Sequence, residues 1–441
     1  MTRSHAIWSI ALPAMATNVA TALFGIADTW VIGRLGDAAA QGGVELGARL
    51  LMALLFAFNF LRTGTIGLTA QAAGRDDVQE QLATLLRALA VALAIGAAIL
   101  LARSLVVPAF LDVLEAEGMV RAHARTYVGI RYWASPVWLV NAALTGWLIG
   151  RRRVRAVLWV EVVANLVHVG LDLLLVLGLG LGVAGVAFAT VASEAGKLLL
   201  LAAIVLRDEP ARALMRRMPA NLWHGPALGA LFRVNRDLFL RTVLLTLSFV
   251  ILTRQGAQQG AVVLAANAIL FQLFSASALL LDGFENAAQV LCGERAGARD
   301  AGGFNAVTRA ILVRGFAVAA LLAAVFAVFG PAIVSTFSTD PAVVASAVAH
   351  AGWLIAIPLA GVASFIFDGV FIGATWTRAM LLTMAAAFAV FIAALWLAAP
   401  LGNHGLWLAF TSFLAVRAVG QALAIPRLAS RTFAPIVAVS T

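Results

Sequence analysis

The stretch TGWLIGRRRVRAVL, residues 145–158, realigns on DGVFIGATWTRAML, residues 368–381, with Gly, Ile, Gly, Arg, Ala and Leu shared at an offset of 223. Each copy is an apolar run with arginine in its tail, and the two lie in opposite halves of a 441-residue chain. Two more pairs support a duplication. Gly182-x-x-Gly185 falls on Gly402-x-x-Gly405 at an offset of 220, and Gly64 and Gly74 fall on Gly283 and Gly293 at an offset of 219. Near-constant offsets in chain order predict an internal repeat.

Outward from these runs the chain stays apolar: 62% of residues are A, V, I, L, M, F, W, Y or C and 12% are charged, against roughly 45–50% and ~25% in soluble domains. The enrichment recurs in blocks of about twenty residues, the length of a membrane-crossing helix. Twelve such blocks run from 7-33 to 403-425, which predicts an all-α polytopic membrane protein with twelve transmembrane helices. Six spans per repeat is an even number, so both halves enter the bilayer alike and are related by a pseudo-two-fold along the membrane normal. The polar stretch Arg207 to Gly229, with three prolines, separates them. The expected organisation is 1-206 as an N-terminal six-helix lobe, 207-230 as a cytoplasmic linker, and 231-441 as a C-terminal six-helix lobe.

Fifteen arginines fall in alternate connections and the tails, and five in the opposite connections. The positive-inside rule then places both termini in the cytoplasm. The block Ile7 to Ala27 is too long for a signal-peptide core and reads as a retained first span. A net charge of +10 does not point to nucleic acid, because the 31 basic residues, all Arg except Lys197, are scattered between apolar blocks. The single cysteine, Cys292, excludes an intramolecular disulfide and a cysteine-based metal cluster. No Walker, GxSxG or HExxH motif occurs, so neither an enzyme nor a cofactor is expected.

Ionisable side chains inside a span cost about 2.5–3.5 kcal/mol each on insertion scales, so each needs a cavity, a partner or a function. In predicted span 5, Glu161, Asn165, His168 and Asp172 stand at i, i+4, i+7 and i+11 on one stripe. Asn18, Thr21 and Asp28 share a face of span 1; Gln272, Ser275, Asp282, Glu285 or Asn286, and Gln289 share one in span 8. Three polar stripes predict a polar-lined interior. Span 10 adds Asp368, and span 2 adds Asn59 and Arg62. The candidates for ion coupling or substrate binding are Asp28, Asp172, His168, Asn165, Asp282, Glu285 and Asp368. A structural role stands beside each: a helix-end hydrogen bond for Asp28, a bend for the Asp-Gly pairs at Asp282 and Asp368, a neutral hydrogen-bonded ring for His168. Under the offsets, Asp282 faces Thr63 and Asp368 faces Thr145, while Asp28 and Asp172 meet neutral positions. Acids outnumber bases in these spans on this reading, which favours exporting cations. A flippase for a lipid-linked precursor, the alternative, would need a strongly basic cavity.

The span 1 segment LFGIADTWVIGRLG and the double-glycine segment GVAGVAFAT resemble the MATE (multidrug and toxic compound extrusion) transporters. The stretches from Arg236 to Leu273, LDGFENAAQVLCGERAGARD and IFDGVFIGAT are similar to its DNA-damage-inducible F (DinF-like) branch. The resemblance implies a secondary active efflux antiporter in a bacterial inner membrane, working by alternating access as a monomer. It would exchange lipophilic, preferably cationic organic compounds for H+ or Na+. By position, Asp28 matches the span 1 acid linked to coupling, and Asp172 a span 5 acid of the same lobe, where Na+ is also an expected ligand. His168 stands where the family commonly has Asn, which favours protons. Gln289 stands where an acid is usual, with Glu285 one turn earlier.

Overall fold

The structure, a computed structural model, describes residues 3–113, 117–208, 222–223 and 225–434. Most of the expected linker 207-230 lies outside the described residues. Every element among them is helical. The first half comprises α1 (Arg3–Gly33), α2 (Ala38–Phe56), α3 (Phe60–Gly74), α4 (Val78–Val113), α5 (Gly118–Arg131), α6 (Ser135–Gly150), α7 (Val154–Asp172) and α8 (Gly182–Leu206). The second comprises α9 (Gly225–Gln258), α10 (Ala261–Gly297), α11 (Ala301–Ser335), α12 (Pro341–His350), α13 (Trp353–Gly373), α14 (Thr377–Leu397) and α15 (Asn403–Thr432).

Ten helical stretches among the described residues are long and apolar enough to cross a membrane. Large apolar side chains stand outward on them, with Leu101 84% and Trp396 86% exposed, as a lipid-facing surface requires. The chain is an all-α polytopic membrane protein. Outside that set of ten are α5 with α6, which are separated by a 3-10 turn, the short apolar α12, and α9, which carries Arg233, Arg236, Asp237 and Arg241 in its first half. Several acids outside the apolar segments are N-caps: Asp37 accepts from the backbone N–H groups of Ala39 and Ala40 at 2.9 and 3.0 Å, and Asp300 from Gly303 at 2.7 Å. They satisfy otherwise unpaired first-turn donors.

The packed units differ from an even division of the chain. One comprises Ala16–Thr69 and Asp76–Leu231; the other comprises Met1–Met15, Ala70–Arg75 and Phe232–Thr441. The start of α1 and the end of α3 therefore pack with the second half. Backbone contact is the cause. A Cβ added to Gly297 would meet the Gln71 carbonyl at 2.0 Å, and one added to Gly283 would meet the Ala11 carbonyl at 2.7 Å. Only glycine admits such an approach.

Glycine contacts also correct the register of the repeat. In the N-terminal unit the missing Cβ of Gly146 faces the Arg62 carbonyl at 2.4 Å, and that of Gly150 the Ile66 carbonyl at 2.9 Å. In the C-terminal unit Gly369 faces the Glu285 carbonyl at 2.2 Å, and Gly373 the Gln289 carbonyl at 2.6 Å. Every member of the second set is 223 residues after its counterpart in the first. Gly74 facing the Glu294 carbonyl and Gly297 facing the Gln71 carbonyl obey the same offset. The pairing of Gly64 and Gly74 with Gly283 and Gly293 at 219 is thus one helical turn out of register. Gly74 pairs with Gly297, and Asp282 falls opposite Asn59 rather than Thr63.

Candidate functional site

The α7 stripe is buried as its spacing requires: Glu161, His168 and Asp172 are all enclosed and Asn165 is half-buried. His168 and Asp172, at i and i+4, meet Asp28 from α1. One ligand atom from each of the three lies within 4.8 Å of the other two. His168 Nε2 sits 2.7 Å from Asp28 Oδ1 and 3.2 Å from Asp172 Oδ2. Both α7 side chains are 0% exposed, so they line an enclosed interior. Immediately after Asp172 the helix widens into a π turn, Leu173–Gly178, a departure that is frequent at functional sites.

Two elements complete the surroundings. From α5, the Tyr127 hydroxyl donates to Asp28 Oδ2 at 3.5 Å, and Arg131 donates to the Tyr127 oxygen. Gly47 of α2 makes room for that ring, since a Cβ there would stand 2.5 Å from Tyr127 Cδ1. From α8, Ser193 Oγ lies 3.4 Å from His168 Nδ1 while donating to the Thr190 carbonyl at 3.0 Å. A hydroxyl has one hydrogen, so Ser193 accepts from His168, and Nδ1 carries a proton. If Nε2 were bare, its lone pair would face two carboxylates. Neither Asp172 oxygen has a hydrogen-bond donor among the described residues, and a buried, uncompensated carboxylate is costly. One further proton shared by Nε2, Asp28 and Asp172 removes both conflicts.

Glu161 belongs to a neighbouring network. It accepts from Thr21 Oγ1 at 3.0 Å and pairs with Lys197 Nζ at 2.6 Å. Glu194 accepts from Asn141 Nδ2 at 2.7 Å. Asn165 donates to the Glu161 carbonyl at 2.9 Å instead of reaching the trio.

The second-half candidates are placed otherwise. Asp368 is enclosed by donors: Arg241 and Arg417 both donate to Oδ2, Arg417 at 2.6 Å, and Gln421 donates to Oδ1 at 2.7 Å. Arg417 is itself buried. Asp368 thus serves as counter-ion to two guanidinium groups. Glu285 lies within electrostatic reach of Arg417 and accepts from Gln289 at 2.8 Å. Asp282 is half-buried, and its carbonyl accepts from Asn286 at 2.9 Å. Sequence reasoning missed Tyr127, Arg131, Ser193, Glu194, Lys197, Arg241, Arg417 and Gln421. The insertion cost that singled out the acids applies equally to the arginines, Glu194 and Lys197. Counting those bases also shrinks the excess of acids on which the preference for cations rested.

A bundle of membrane-length helices with a buried carboxylate–imidazole trio in its first half has the build of a transporter. The chain belongs to the MatE family, whose profile it matches over residues 13–174 and 238–397. Among its relatives, DNA damage-inducible protein F of Escherichia coli (strain K12) is 37% identical over 417 residues, covering 95% of this chain and 91% of that one. The probable multidrug resistance protein NorM of Caulobacter vibrioides is 28% identical over 315 residues, covering 64% and 62%. Among solved structures, a MATE protein in its bent conformation superposes with a TM-score of 0.90 at 17% identity, covering 99% of this chain and 98% of that one. An outward-facing multidrug resistance MATE family transporter gives 0.84 at 18% identity, covering 97% and 96%. The chain is a multi-pass efflux transporter of the DinF-like branch.

Proposed function

We propose that the protein is a proton-coupled antiporter exporting lipophilic organic compounds by alternating access, with the Asp28–His168–Asp172 trio as its proton site. The observation that carries this reading is the Asp172 carboxylate, fully enclosed and without a donor, beside an imidazole nitrogen that also faces Asp28. Such a group is stable with one proton and strained without it, so binding and release of that proton change the fit of α1 against α7. A coupling site needs this differential. In the C-terminal unit Asp368 already has fixed cationic partners, which supports coupling in the N-terminal unit. The name of the Caulobacter relative supports multidrug export. The Arg distribution supports a bacterial inner-membrane orientation with both termini cytoplasmic and twelve spans.

The test is ethidium transport in proteoliposomes under an imposed pH gradient, then under an imposed Na+ gradient. Transport is expected with the first and not the second. Transport driven only by Na+ overturns the proton assignment.

A further inference from the structure

The Tyr127–Arg131 arm has no part in the proton count above, yet it touches the trio. We infer that Arg131 determines cation selectivity, making the trio a proton site that excludes Na+; this rests on the trio being the coupling site. Two features of the geometry carry it. First, both Asp28 oxygens are engaged, Oδ1 with His168 Nε2 and Oδ2 with the Tyr127 hydroxyl at 3.5 Å. Arg131 donates to the Tyr127 oxygen, which commits that oxygen as an acceptor and turns the phenol hydrogen toward Asp28. Of the carboxylate oxygens in the trio, only those of Asp172 then lack a hydrogen-bond donor, with Oδ2 3.2 Å from His168 Nε2. A hard cation is held by a shell of several oxygens, whereas a proton needs two atoms. Second, two carboxylates, one proton and one guanidinium sum to zero charge. A deprotonated trio beside Arg131 has net charge −1 and beside a neutral residue −2, so the guanidinium weakens the field that would attract a metal ion.

The remaining groups around the trio leave this balance in place. From α8, Glu194 lies within electrostatic reach of Arg131 but is bonded to Asn141. Also on α8, Ser193 bonds to His168 Nδ1 and carries no charge. On α2, Gly47 meets the Tyr127 ring, and the Glu45–Arg49 pair is exposed. Arg131 thus acts on the trio through Tyr127 and through its charge.

The experiment measures thermal unfolding of the purified full-length protein at about pH 8 in NaCl and in choline chloride, because a ligand that binds only the folded state raises its melting temperature. Wild type should melt identically in both salts. Arg131→Gln, which lowers the local charge by one and frees the Tyr127 oxygen, should melt higher in NaCl, and in proteoliposomes it should gain ethidium transport driven by a Na+ gradient. Arg131→Lys keeps the charge and should remain indifferent to Na+. If Arg131→Gln does not fold, Arg131→Gln/Glu194→Gln removes the guanidinium together with the carboxylate in its reach, and the same NaCl response is expected because the nearer charge counts more. A folded Arg131→Gln variant, alone or with Glu194→Gln, that is as indifferent to Na+ as wild type overturns the inference while leaving proton coupling intact. Stabilisation of wild type by Na+ overturns both.

Discussion

At the scale of single residues, the acids of this chain fall into three physical states. Asp37 and Asp300 cap helices in reach of water. Asp368 is buried among three donors. Asp172 is buried with none. Each state fixes a different outcome. Asp368→Ala strips the buried Arg417 and the half-buried Arg241 of their counter-ion, and losing one partner of a buried ion pair costs about 3–5 kcal/mol. Its expected result is a large drop in melting temperature, measured in detergent. Asp172→Asn removes a group whose burial is already unfavourable, so the fold and melting temperature should hold while pH-gradient-driven ethidium export is lost. Asp28→Asn should also express and insert normally but lose that export, because His168 Nε2 loses a carboxylate at 2.7 Å. Retained export in either variant, assayed in proteoliposomes, contradicts the trio's role. The α7 stripe and Asp28 were legible in the sequence because a 3.6-residue period projects polar groups onto one face. Tyr127 and Arg131 were not. Their meeting with Asp28 depends on how α5 crosses α1, which no spacing along one helix encodes, and arginine near a span end reads first as a topology marker.

At the scale of helices, glycines divide into those that permit contact and those that meet nothing. Gly369 of α13 would place a Cβ 2.2 Å from the Glu285 carbonyl, whereas Gly25 of α1 has nothing within 4 Å of its missing Cβ. Gly369→Val should therefore fail to yield folded protein in size-exclusion profiles. Gly25→Ala should stabilise by about 0.5–1 kcal/mol, the cost of glycine inside a helix, seen as a raised melting temperature. Should Gly25→Ala also slow ethidium turnover, α1 bends there during transport. The repeat was readable from composition and identities, but its register in α3 and α10 was not. Glycines recur at one-turn intervals in packed membrane helices, so matching letters alone leaves a four-residue ambiguity that only the carbonyl each glycine faces resolves.

At the scale of the molecule, the C-terminal unit is assembled from both ends of the chain. Gly283 and Gly297 of α10 pack on Ala11 and Gln71, so the second half lacks part of its own core when made alone. Residues 225–441 expressed without the first half should be degraded in the membrane, and co-expression with 1–208 should restore a stable, co-purifying pair. Stable accumulation of the second half alone would show that these contacts are dispensable.

That discontinuity sets an order of events during biosynthesis. The N-terminal unit is complete once Leu231 has been made, but the segments before Met15 and around Gln71 must wait for partners that leave the ribosome much later. Gly297, which meets Gln71, is 297 − 71 = 226 residues later, and at roughly 5–20 residues per second the delay is about 11–45 s. Through that interval the bare glycine surface at Gly74, the end of α3, is without its carbonyl neighbour on Glu294. The unit whose sequence begins first is thus the last to close, and truncated or stalled chains would present that surface to whatever quality-control protease patrols the bilayer.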